Sequence, residues 1–161
     1  MSTYSPFSAK QLLPQEEKLE IAKHKSELFI GIPKEISYQE RRICLTPDAV
    51  SSLVSHGHRV MVECGAGKNA SFSDKDYSDA GAEVTHDTKK IFSCPIILKV
   101  EPPTLEEIEM MNMEAILISA IQLKTQKKEY FEAITKKKIT SLAFEFIKDS
   151  DGSYPAVKSL S

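Results

Sequence analysis

The sequence carries no excess of either charge. Its 21 Lys and Arg stand against 23 Asp and Glu, a formal net charge of −2. A domain that binds nucleic acid is usually marked by a strong basic excess, so no nucleic-acid partner is expected. No apolar run approaches the roughly 18 residues of a membrane helix. Residues 1–10 have neither a basic start nor an apolar core, so no signal peptide is visible. Cysteine is scarce. Cys44, Cys64 and Cys94 are odd in number and too widely spaced for a metal pair, and each lies beside apolar residues. They read as small buried thiols in a reducing, cytoplasmic compartment. No neighbouring base in the sequence activates any of them as a nucleophile. His56-Gly57-His58 is the one histidine cluster and sits where a helix ends. It reads as a solvated turn, because zinc wants three or four ligands; no metal is expected.

What is present is an ordinary soluble composition. Of 161 residues, 41% are hydrophobic and 27% charged, which fits one domain with a real core. Residues 1–27 are polar and stand apart as an N-terminal extension. Pro14 followed by Glu16 and Glu17 marks a short helix there. From Leu28 onward, short apolar runs alternate with helix signals. Strands are expected over 28–32, 58–63, 83–85, 95–100, 115–119 and 139–146. Between them, Thr46-Pro47, Ser73 with Asp76, Asp87, and Thr104 with Glu107 mark helix starts. A further helix is expected over 127–137. Asp151-Gly152 is a hairpin turn signal, with 144–146 and 154–157 as its arms. Apolar strands alternating with short amphipathic helices imply an α/β domain. Its sheet is mostly parallel and covered by helices on both faces.

Ligands of such sheets bind beyond the carboxyl ends of the strands. Three segments leave those ends: 33–42, 98–100 and 121–123. Lys99 stands almost inside an apolar strand and must reach water, find an anion or shift its pKa. It is either a strand-end lysine reaching solvent or a cation for a substrate carboxylate or carbonyl. Arg42 is either paired with Glu40 on the surface or a bidentate holder of a carboxylate. Gly65-Ala-Gly67-Lys-Asn-Ala70 superficially matches a dinucleotide fingerprint, with Glu83 near the place of a ribose-binding acid. That reading fails, because the fingerprint needs a helix opening directly on the glycines and the next cap is Ser73. The lysine runs 124–128 and 136–138 read as solvated faces.

Several of these residues carry a resemblance. Ile30-Gly-Ile-Pro-Lys-Glu35, Glu40-Arg-Arg42 and Leu45-Thr-Pro47 resemble the opening of the alanine dehydrogenase and pyridine nucleotide transhydrogenase family. Gly57-His58, Val62-Glu63, Gly65-Ala-Gly67, Phe72-Ser-Asp74, Tyr77, Ala80-Gly-Ala82 and Ile97-Leu-Lys-Val100 continue it. The resemblance implies a Rossmann-like (flavodoxin-like) fold over 28–161, forming the substrate-side N-terminal domain. It also implies that the chain stops before an NAD-binding domain. That absent domain would hold NAD and the contacts of a homo-oligomer, so no cofactor is expected on this chain and the isolated fragment is expected to be inactive. By the same resemblance, Arg42 and Lys99 bind the carboxylate and carbonyl of alanine or pyruvate. Gln122 stands where the family has a histidine acid/base. Glutamine hydrogen-bonds but exchanges no proton near neutral pH.

Three readings follow. One is the N-terminal domain of an NAD-dependent alanine dehydrogenase, with Lys99 and Gln122 as catalytic residues. A second is the alpha-subunit domain of a proton-translocating transhydrogenase. Gln122 favours it, as does the lack of a second lysine after Lys99, and a membrane subunit would then be the partner. A third is a binding domain that keeps the fold without catalysis.

Overall fold

The computed structural model describes residues 27–37, 40–150 and 152–154. The helix expected near Pro14 lies outside the described residues. Six strands form one sheet: β1 (Phe29–Ile32), β2 (Arg59–Glu63), β3 (Glu83–Thr85), β4 (Ile96–Leu98), β5 (Ile116–Ser119) and β6 (Thr140–Ala143). Their order is β3-β2-β1-β4-β5-β6, and every adjacent pair is parallel. Of the two related doubly wound orders, this is the Rossmann one rather than the flavodoxin one.

The helices are α1 (Pro47–Ser55), α2 (Asp74–Asp79), α3 (Thr88–Phe92), α4 (Leu105–Met110) and α5 (Lys128–Lys136). Side-chain chemistry sets their starts. The Thr46 hydroxyl accepts from the Ala49 N–H, with Pro47 at the first helical position. Ser73 with Asp76, and Thr104 with Glu107, form reciprocal capping boxes. The Asp87 carboxylate accepts from the N–H groups of Lys89 and Lys90.

Strand alternation divides the core into two layers. Ile30, Ile32, Val60 and Val62 point to one face, with Val50 of α1 and Tyr77 of α2. Met61, Ile97 and Leu117 point to the other, with Ile91, Phe92, Ile108 and Tyr130 of α3 to α5. Gly31 faces this second layer, where a Cβ would come within 2.5 Å of the Ile91 carbonyl oxygen. Only glycine lets α3 sit this close to β1.

Three local expectations are corrected. The last strand ends at Ala143, and 144–146 form a 3-10 turn rather than a hairpin arm. Glu145 explains the change: its two carboxylate oxygens accept from the N–H groups of Ile121 and Gln122, which pulls the segment out of the ladder. The other arm falls mainly outside the described residues. Lys137 is not purely solvated, because its ammonium donates to the carbonyls of Glu109 and Met111 at the end of α4. Cys94 is buried, but Cys44 and Cys64 are only half-buried.

Candidate active site

Successive strands are added to one side of β1 up to β3 and to its other side from β4 onward, so the carboxyl ends of the parallel neighbours β1 and β4 open a crevice. The loop over 33–42 leaves β1 there, and Lys99, Val100 and Glu101 leave β4. Glu35 joins the two, accepting from the Val100 N–H through Oε1 at 2.6 Å. Its Oε2 lies 3.6 Å from the Lys99 ammonium. Lys99 is only 2% exposed, and its main partner is Glu107 at 2.8 Å. The same Glu107 carboxylate accepts from the Thr104 N–H through its other oxygen. One side chain thus caps α4 and clamps the buried lysine.

Arg42 is built differently. Its Nε and Nη2 donate to the two oxygens of Glu40 at 2.8 and 2.7 Å, a bidentate pair. Arg42 is 49% exposed while Glu40 is 5% exposed. These hydrogen bonds hold the Glu40 carboxyl below its ordinary value and push Arg42 upward. Glu35 shifts the opposite way, because burial raises its carboxyl more than the Lys99 charge lowers it. Charge links the two groups: Arg42 feels both Glu35 and Glu101 across the crevice. Cys44 sits among Glu35, Lys99, Glu40 and Arg42, and burial pushes its thiol far up. A thiol so protonated is no nucleophile.

Gln122 lies beyond β5 with φ 52°, a left-handed conformation. Glu145 holds its N–H at 2.9 Å, and its carbonyl accepts from Thr125. It is exposed. The structure therefore gathers Arg42, Lys99 and their carboxylates at the β1–β4 crevice, with Gln122 on the adjacent strand exit. A cavity of about 360 Å³ opens beside this cluster, with Glu35, Glu107 and Thr104 in its wall.

Glu107 was visible in the sequence as a capping residue but not as the partner of Lys99. Glu35 gave no local signal, because its contacts are 65 residues away. Among the described residues, no group of three or more His, Cys, Asp or Glu could hold a metal ion. Nor is any described helix long and apolar enough to cross a membrane.

A Rossmann sheet normally places its glycine-rich phosphate loop directly after β1. Here that loop, 33–42, contains no glycine. At Gly65 and Gly67 a 3-10 turn (Lys68–Ala70) and a left-handed Ser71 intervene before α2. Gly67 packs so tightly that a Cβ would meet Tyr77 at 2.6 Å and Phe72 at 2.9 Å. Glu83, the candidate ribose acid, is paired with Arg59. These residues do not fit a dinucleotide pyrophosphate.

The fold and the crevice define a Rossmann-ordered α/β domain whose two candidate cations are clamped by carboxylates at the strand ends. The chain belongs to the family described as "Alanine dehydrogenase/PNT, N-terminal domain", which matches residues 31–161. It is 37% identical over 122 residues to the alanine dehydrogenase of Bacillus subtilis, covering 76% of this chain and 32% of that protein. It is 35% identical over 135 residues to the alanine dehydrogenase of Methanococcus maripaludis, covering 83% and 36%. Among solved structures, an L-alanine dehydrogenase aligns with TM-score 0.74 and 35% identity over 80% of this chain and 35% of that one. A transhydrogenase from Sinorhizobium meliloti aligns with TM-score 0.66 and 31% identity over 73% and 35%. The chain thus spans about a third of the length of these relatives.

Proposed function

We propose that this chain is the substrate-side domain of an alanine dehydrogenase-like, NAD-dependent oxidoreductase that converts L-alanine to pyruvate and ammonia. The observation that carries the reading is the pair of carboxylate-held cations, Arg42 and Lys99, at the β1–β4 crevice of a domain in this family. NAD would be the hydride acceptor, held by a further domain, since the residues after β1 and β2 offer no pyrophosphate cradle. The isolated chain would then turn over no alanine. The setting would be cytoplasmic, a reading that the three unpaired thiols support, and homo-oligomer contacts would lie outside this domain.

In this reading Arg42 binds the substrate carboxylate with its fork. Glu40 aims the guanidinium beforehand, and the half-exposed position leaves room for exchange between the Glu40 and substrate carboxylates. Lys99 supplies positive charge from beneath the crevice, where it would stabilise negative charge on the carbinolamine oxygen, which water brings to the imine and which becomes the pyruvate carbonyl as ammonia leaves. Its ammonium has three protons and one short partner, so two remain to be directed. Gln122 hydrogen-bonds a carbonyl or a water and moves no proton, which leaves the acid/base group to be supplied from elsewhere in the complete protein.

The test is alanine-dependent NADH formation by the complete protein carrying this domain. Arg42→Ala is expected to lower kcat/KM for alanine by about a hundredfold, since each tenfold is about 1.36 kcal/mol of lost transition-state binding. Hydride exchange between nicotinamide cofactors without alanine turnover would instead establish the transhydrogenase reading, which the Sinorhizobium meliloti likeness keeps in view.

A further inference from the structure

We propose that a second cavity, between the loop after β1 and the exit of β2, binds a phosphate-bearing anion through Lys34, Arg41 and Lys68. The cavity measures about 430 Å³ and is lined by these three cations, together with Gly65, Asn69 and Glu35 among others. Among the described residues none of the three forms a salt bridge, whereas Arg42 and Arg59 are each clamped to a glutamate. Three like charges around one concavity repel each other, and a multiply charged counter-ion removes that cost.

The one carboxylate in the wall does not serve as that counter-ion. Glu35 turns its Oε1 to the Val100 N–H and has Lys99 as the nearest cation to its Oε2. The neighbouring acids are also committed. Glu63 accepts from the Lys34 N–H and the Thr88 hydroxyl, and Asp74 accepts from the Cys64 thiol and the Gly65 N–H. At Gly65 a Cβ would meet nothing within 4 Å, so the floor of the cavity is open space. Because Asp74 already holds the Gly65 N–H, recognition falls on side chains and is strongly salt-sensitive.

The charge count selects the ligand class. A carboxylate offers one charge to three cations, whereas a phosphate dianion offers about two, with three acceptor oxygens for the Arg41 fork and the lysine ammoniums. Free phosphate and a phosphate monoester share this chemistry. The site opens toward the exit of β2 and shares Lys34 and Glu35 with the cavity beside Lys99, and the inference stands whether or not alanine is the substrate.

Calorimetric titration of this chain at low salt, with inorganic phosphate and with glycerol 3-phosphate in parallel, tests it. Saturable binding is expected. Arg41→Ala and Lys68→Ala should each weaken it by about fivefold or more, with Arg41→Lys in between. Tighter binding of the ester would identify an esterified ligand, and equal binding the free ion. Arg59→Ala, at the opposite end of β2, should leave affinity unchanged. The three substituted side chains are exposed, and an unchanged circular dichroism spectrum confirms folding; should one variant fail to fold, the other carries the test. Absence of saturable heat with both ligands would overturn the proposal. So would an Arg59→Ala effect as large as that of Arg41→Ala, which would mean attraction by net charge alone. Displacement of phosphate by pyruvate would also overturn it, by merging this cavity with the substrate crevice.

Discussion

Glu35 and Glu40 leave the same strand within one loop, each holds a cation, and their carboxyls shift in opposite directions. Glu40 faces a half-exposed guanidinium through two parallel hydrogen bonds, and its charged form is favoured. Glu35 lies against the end of β4, where burial outweighs the attraction of Lys99. Geometry accounts for the difference. A bidentate arginine supplies directed donors to both oxygens of one carboxylate. Lys99 gives its short contact to Glu107 and leaves Glu35 at 3.6 Å. A rim pair that can exchange partners thus stands beside a buried group that is fixed in place, although each joins a cation to a carboxylate.

The largest expected effect comes from the buried side. Glu107→Ala removes the close partner of a 2%-exposed lysine and leaves the Thr104 N–H without its cap. Breaking a buried pair from one side strands the remaining charge, so a loss of about 3–5 kcal/mol in urea unfolding is expected. The double variant Lys99→Met with Glu107→Met should recover most of it, because no charge is then stranded. A loss under about 1 kcal/mol for Glu107→Ala would place this pair with ordinary surface pairs and remove the contrast.

A smaller effect separates the two glutamates by pH. The Glu35 carboxyl binds its proton more tightly folded than unfolded. Its contribution is therefore fullest below the ordinary value of 4.5 and declines as pH rises through the raised folded value. Glu35→Gln keeps an acceptor for the Val100 N–H and removes the charge. It is expected to gain about 1 kcal/mol at neutral pH and little at pH 4, in paired denaturant titrations. Equal changes at both pH values would show that the charge is not what burial penalises.

These contrasts also mark where sequence reasoning stops. Helix starts were legible because Thr46-Pro47, Ser73 with Asp76, Asp87, and Thr104 with Glu107 act within three residues of themselves. The glycine pair at Gly65 and Gly67 could be rejected as a cofactor loop because the next cap came too late. Both signals are local, and so is Arg42 with Glu40. Lys99 stands out in the sequence as a lysine inside an apolar strand that must reach water, find an anion or shift its pKa, but the carboxylates that meet it come from two other segments, and no spacing rule pairs them. The end of β6 was overextended for the same reason. Phe144 and Phe146 carry strand character, yet Glu145 reaches back to the N–H groups of Ile121 and Gln122 and turns the chain. Where a polar side chain is spent on distant backbone, apolar patterning alone misplaces the boundary.

The smallest effect belongs to the rim pair. Because the Glu40 carboxyl is held below its ordinary value, its contribution is present above pH 4.5 and is lost as pH falls through the lowered folded value. Glu40→Gln is therefore expected to cost about 0.2–1 kcal/mol at pH 7, since Arg42 is half-exposed and solvent screens the pair. The cost should shrink in high salt and vanish in acid, the reverse of the Glu35→Gln profile. In the complete protein the same substitution should raise KM for alanine more than it lowers kcat, because it removes the group that aims Arg42 and leaves the guanidinium itself. If kcat falls and KM stays fixed, Glu40 acts in the transition state, and the division between a movable rim pair and a fixed buried one fails at its rim.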